Sequence, residues 1–254
     1  MTEKIDELKQ LKKRLQRSVG VEILLCIAAL ALVFVNPAIT IAMLGAEAVF
    51  YLAVIHRQKR NFQQVFKAYN IEESLRMCLK DVTYQKKDLV TKETVSGWFQ
   101  ENAHVLSLMA RDGVRASWQG MPITLCDISM TYEWHPLGDS GGKKAYETIA
   151  GIICLADTGA GEGRGCFLDS ADFDRADLPE LLKKQLVSLR EEEPGRIFFG
   201  MDGGRAMILI QNRFLSSQMV QIKAEITPRL LRFEQFPELH DVLRIVGSVR
   251  GKQK

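Results

Sequence analysis

Two carboxylates stand inside otherwise apolar runs. Glu22 lies in VGVEILLCIAALALVFV (19–35) and Glu47 in AITIAMLGAEAVFYLAVI (38–55). A carboxylate in such a run faces protein or a water-lined path, and marks ion or proton handling unless a neighbour covers it. Glu22 is about one helical turn from the end of its run, close enough to reach polar headgroups. Glu47 is roughly two turns in, beside Gly45, Ala46 and Ala48, small residues that let another helix approach and cover it. Helix packing is the simpler role for Glu47; transport would need an oligomer, because two spans form no pore.

Other strings suggest chemistry and fall short of it. GAGEGRG (159–165) puts Arg164 where a dinucleotide fingerprint needs its third glycine, and no Lys-Ser/Thr pair follows to make a phosphate loop. Ser140 lies in GDSGG, the local string of a serine nucleophile, but the chain before it reads as an apolar hairpin plus helices and not as a two-barrel protease. LDSADFDRAD gathers Asp169, Asp172, Asp174 and Asp177 without the central glycine and final glutamate of a calcium loop. His56, His104, His135 and His240 are scattered, with no cysteine at zinc spacing. Glu133, Asp157 and Asp169 remain as carboxylates for an unrecognised enzyme site. Trp98, Trp118 and Trp134 fall on expected packing faces, and no segment interleaves aromatic and basic residues, so nucleic acid is not an expected partner. Neither a cofactor motif nor a metal set is complete.

The two apolar runs are each roughly 17–18 residues, about 26 Å as helix, just enough for a hydrocarbon core. Asn36-Pro37 ends one and opens the other. Lys9, Lys12, Lys13, Arg14 and Arg17 precede the first; Arg57, Lys59 and Arg60 follow the second; the turn between carries no charge. The positive-inside rule then places both termini in the cytoplasm and only the Asn-Pro tip outside. The net charge of +3 is concentrated beside these runs and suits an anionic membrane surface. Five cysteines, odd in number and without a CxxC pair, fit a reducing compartment.

The expected organisation is an amphipathic helix over 1–17, a two-span hairpin over 18–56, a juxtamembrane helix over 57–80, and a cytoplasmic α+β domain over 81–254. Ile5, Leu8, Leu11 or Lys12, and Leu15 form one stripe; Phe62, Val65, Phe66 and Tyr69 form another. The two stripes could zip into a stalk, or the first helix could lie flat on lipid. In the domain, helix is expected over Ile71–Lys80 and at Thr91 or Thr94, continuing past Trp98 and through His104–Ala110. Strands are expected from Val114 to Trp118, Met121 to Trp134, Tyr146 to Ala156 and Cys166 to Leu168. Asp177 should cap a helix that runs to Glu192. IFFGMDGGRAMILIQ is a hairpin, and helix resumes at Thr227-Pro228 and Pro237–Val249. With few helices between strands, the fold class is α+β: an antiparallel sheet with helices on one face.

VSGWF (95–99), GVRASWQGMPITLCDISMTYE (113–133), YETIAGIICLAD (146–157) and FFGMDGGRAMILI (198–210) together resemble segments of an uncharacterised bacterial membrane-protein family, a domain of unknown function with two N-terminal spans. The resemblance covers roughly residues 60 to 250 and implies no activity, catalytic residue or cofactor. The expectation is a membrane-anchored scaffold or sensor, with lipid and either a protein partner or a second copy as its contacts. A membrane-face enzyme or an accessory subunit of an oligomeric transporter is the alternative.

Overall fold

The structure, a computed structural model, describes residues 2–33, 36–87, 89–98, 103–134, 145–159, 166–193, 195–202, 204–215, 225–227 and 239–250. The chain divides into two compact units, Met1–Asn70 with Gln218–Phe233, and Ile71–Ser217 with Glu234–Lys254.

In the first unit, α1 (Thr2–Leu32) is one uninterrupted helix. Asn36 then caps α2 (Pro37–Phe50): its Oδ1 accepts from the Ala38 and Ile39 amides at 3.1 and 3.3 Å. Proline at the first helical position needs no hydrogen bond, so the Asn-Pro pair starts a helix with almost no loop. α2 continues through a π-helical stretch, Tyr51–His56, into α3 (Arg57–Leu75). Neither position 17 nor position 56 interrupts a helix. Two helices, Thr2–Leu32 and Pro37–Leu75, are long and apolar enough to cross a membrane.

The two amphipathic stripes meet. Ile5 and Leu8 of α1 share a buried cluster with Phe62 and Phe66 of α3 and with Ile226. Tyr69 donates to Glu7, Lys4 Nζ lies 4.9 Å from the Tyr69 ring centre, and Ser18 Oγ donates to Gln58 Oε1 at 3.0 Å. Position 18 lies by 58 and position 7 by 69, so the helices run antiparallel. The stripe of α1 is spent on α3, and the helix zips into a stalk.

The second unit is built on a seven-stranded antiparallel sheet, order β1-β2-β3-β4-β7-β6-β5. Its strands are β1 (Lys80–Lys87), β2 (Ala103–Trp118), β3 (Met121–Trp134), β4 (Ala145–Asp157), β5 (Cys166–Asp169), β6 (Ile197–Asp202) and β7 (Arg205–Gln211). Gln119-Gly120 closes β2 onto β3 with φ of +50° and +77°, the two-residue turn whose twist suits a hairpin. Gly204, at φ +83°, serves the β6–β7 turn.

The long strands change their buried face midway. In β3, Met121, Ile123 and Leu125 point into one cluster, while Cys126, Ile128, Met130 and Tyr132 point into another on the opposite face. β4 does the same, with Ile152, Cys154 and Ala156 on the first face and Ile149 and Ile153 on the second. The first face is covered by the end of α3, by α5 (Glu180–Glu192) and by α6 (Leu239–Arg250); the second holds short α4 (Lys92–Ser96) with Val95 and Trp98. The α+β class holds, with the three longer helices sharing one face.

Several local expectations are corrected. Ile71–Lys80 is not one helix: α3 stops at Leu75, and Lys80 opens β1, a strand the sequence did not suggest. His104–Ala110 belongs to β2, held by pairs such as His104–Glu133 and Leu108–Met130. Pro179, not Asp177, precedes α5, and no side chain caps it. The loop 135–144 with Ser140 and His135, residues 160–165 of the glycine string, and the helix start at Pro228 lie outside the described residues.

Candidate functional site

The hairpin carboxylates part ways. Glu22 is half-buried on α1. Glu47 is 7% exposed on α2 and faces α1, where Cys26 Sγ donates to its Oε2 at 3.3 Å. Glu22 precedes Cys26 by one turn of the same helix, so α1 presents both residues on one side. The second oxygen of Glu47, Oε1, is buried with no hydrogen-bond partner among the described residues. A helix neighbour does cover Glu47, and it does so with a weak thiol donor.

Glu133, Asp157 and Asp169 do not form a site together. Glu133 pairs with Tyr146 at one end of β4, and Asp157 pairs with Arg205 at the other. Eleven positions of strand separate Tyr146 from Asp157, roughly 36 Å at the usual rise. Glu133 is buried, whereas Asp157 is exposed and accepts from the Gly159 amide at 3.3 Å.

Asp169 instead joins a different group. Arg196, just before β6, donates through Nε (3.0 Å) and Nη2 to Asp169 Oδ2, and through Nη1 to Glu147 Oε1. Tyr132 donates its hydroxyl to the other Glu147 oxygen at 2.5 Å. The guanidinium stands 5.0 Å from the Phe198 ring centre, and Phe198 stacks on Phe167 at 5.9 Å. Four elements thus meet at one planar cation that stacks on an aromatic ring and bridges two carboxylates, geometry that suits arginine and not lysine. Burial first, then the Glu147 carboxylate, pushes the Tyr132 hydroxyl well above the usual tyrosine range. With its cation already bridging two carboxylates, the group is a clamp between β3, β4, β5 and β6.

The aspartate-rich string is dispersed in the same way. Asp169 accepts from the Ala171 amide at 3.2 Å and turns the chain after β5. Asp174 pairs with Arg190 of α5 at 2.7 Å, which holds its carboxyl below the ordinary range. Among the described residues no three His, Cys, Asp or Glu side chains converge in a way that could hold a metal ion.

One pair was invisible in the sequence. Cys78, in the turn after α3, lies with Sγ 3.5 Å from Nε2 of His240 at the start of α6, across 162 positions of chain. No local spacing rule joins residues so far apart; the only signal was a thiol and an imidazole each near the end of an amphipathic helix. The other thiols differ. Cys126 and Cys154 are buried and pushed up to about 12 by loss of water, and Cys166 is raised for the same first reason. Cys26 lies inside the apolar part of α1. No disulfide joins any of the five.

No protein-family model, curated protein or solved structure matches the chain.

Proposed function

We propose that the protein is a membrane-anchored interaction module. Its two apolar helices cross the bilayer as a hairpin, both outer ends stand in the cytoplasm, and the sheet unit engages a protein partner or a second copy there. The observation that carries this reading is the exposure of the apolar helices. Only 11% and 17% of their apolar stretches are buried, and Leu24, Leu30, Ile41 and Leu52 are each at least 65% exposed. A core helix in a water-soluble fold hides such side chains; a bilayer is the solvent that tolerates them. The Ser18–Gln58 contact sets the two basic flanks side by side, away from the uncharged Asn36-Pro37 turn, in keeping with cytoplasmic termini.

On the sheet, Met109 and Tyr146 are 53% and 63% exposed, the kind of amphipathic surface that interfaces favour. Membership of the two-span bacterial family belongs to the same proposal and adds no residue role. The test is topological first. The chain should stay with membranes through alkaline carbonate washing. Cysteine placed at Asn36 should react with an impermeant maleimide in intact cells, and cysteine at Ser129 only after permeabilisation. Extraction by carbonate would end the reading. Crosslinking in native membranes should then give a discrete adduct through the sheet unit; a chain that yields none is an anchor without the interaction role.

A further inference from the structure

We propose that Cys78 is the protein's reactive thiol, that His240 is the base that serves it, and that its substrate is a small hydroperoxide. The thiolate is the nucleophilic form of cysteine, and a positioned imidazole is the commonest group that generates it. Of the five cysteines, only Cys78 has an imidazole nitrogen within hydrogen-bond reach among the described residues, at 3.5 Å. Its side chain is partly exposed and His240 is exposed, unlike the buried Cys126 and Cys154. Cys126 and Cys154, by contrast, lie within the two clusters of the sheet.

The step balances on the residues present and the peroxide. His240 Nε2 takes the Cys78 proton. The thiolate attacks the outer peroxide oxygen, an S–O bond forms as the O–O bond breaks, and the alkoxide or hydroxide leaves. The proton held by His240 converts the leaving group to an alcohol or water. Sulfur is oxidised by two electrons to the sulfenic acid, and the peroxide is reduced by two. The site joins the turn after α3 to the first turn of α6, and Leu75, Leu79 and Leu239 pack in one cluster beside it. An added polar oxygen therefore lands on the seam between these helices.

The experiment uses the full chain in detergent or nanodiscs, treated with one to five equivalents of hydrogen peroxide, trapped with a dimedone probe and mapped by mass spectrometry. Expected is a sulfenic-acid adduct on Cys78, alkylated by iodoacetamide at neutral pH about tenfold or more faster than Cys166 in the same molecule. His240→Asn should slow both reactions by about tenfold while leaving the circular dichroism and melting profile in place. The Cys78-to-Cys166 comparison needs no variant, so it tests the reactivity of the Cys78 thiol even if His240→Asn fails to fold. Adducts confined to other cysteines, equal alkylation of Cys78 and Cys166, or a folded His240→Asn protein that reacts as fast as the native one would each overturn the proposal.

Discussion

At the residue scale the molecule sorts its ionisable groups by what surrounds them. Asp127 is buried, yet its Oδ1 accepts the Leu215 amide at 2.7 Å. Glu193 is buried with Arg213 Nε at 2.8 Å. The buried thiols of Cys126 and Cys154 gain no such compensation for charge, and this sets the alkaline limit of the second unit. Each has a folded-state value raised from 9.0 to about 12. The folded chain therefore holds protons that the unfolded chain releases once pH passes about 9. A raised value is stabilising below the unfolded pKa, and that contribution is lost as pH climbs toward the folded one. Urea unfolding followed by tryptophan fluorescence should show stability declining from pH 9 upward, with a limiting slope of about 1.4 kcal/mol per pH unit for each thiol. Cys154→Ala should remove one thiol's share of that slope between pH 9 and 10, where Cys126 and Cys166 also contribute and Tyr84 and Tyr132 do not yet. A slope unchanged by Cys154→Ala would mean that the thiol ionises in the folded state.

At the element scale, the sheet explains which parts of the sequence could be read. The hairpins at Gln119-Gly120 and around Gly204 were legible because a glycine turn between two apolar runs constrains its neighbours within a few residues. The helix over 239–250 was legible from its stripe of Leu239, Val242, Leu243 and Val246. β1 was not, because KDVTYQKK is an edge strand in which Val82 is deeply buried among mostly exposed polar neighbours, and polar edge strands carry little alternation. The first half of β2 was misread as helix because its bulges, between Val105 and Ser107 and between Arg111 and Val114, break the two-residue period. The Arg196 clamp was hidden for a different reason: Arg196 lies 27 positions from Asp169 and 49 from Glu147 along the chain, beyond any local spacing rule. Gly151 tests the packing between elements. It sits where β4 faces Gln211 of β7, and an added Cβ would run into the Ile210 carbonyl oxygen and approach Gln211 Cα to 2.9 Å. Gly151→Ala must push two backbones apart, so it should cost about 3 kcal/mol. Gly97→Ala, where nothing lies within 4 Å, is the control. Equal denaturation midpoints for the two variants would show that β4 and β7 give way freely.

At the scale of the whole molecule, the N-terminal hairpin and the sheet were separable in the sequence because their compositions differ; the return of the chain to the stalk was not. Ile226 belongs to the cluster of Ile5, Leu8, Phe62 and Phe66, although the whole Ile71–Ser217 stretch of the sheet unit lies between it and Phe66. The second unit keeps two clusters of its own, one on each face of the sheet, and neither contains a residue before Ile71. The two units should therefore differ in their dependence on the first seventy residues. A chain beginning at Ile71 should keep its sheet signature by circular dichroism and the burial of Trp98 and Trp118, because every residue of those clusters is still present. Ile226 loses all four of its cluster partners at once, an exposure of apolar surface equivalent to about 2 kcal/mol for its side chain alone. Limited trypsin digestion should then cut the shortened chain near Ile226 many times faster than the full chain, while fragments covering β2 to β4 survive in both. The graded variant Leu8→Asp, in the full chain, should raise the same cleavage to an intermediate rate, since it opens the cluster from the α1 side. Cleavage near Ile226 at the same rate in all three proteins would mean that this stretch is not held by the cluster of Ile5, Leu8, Phe62 and Phe66.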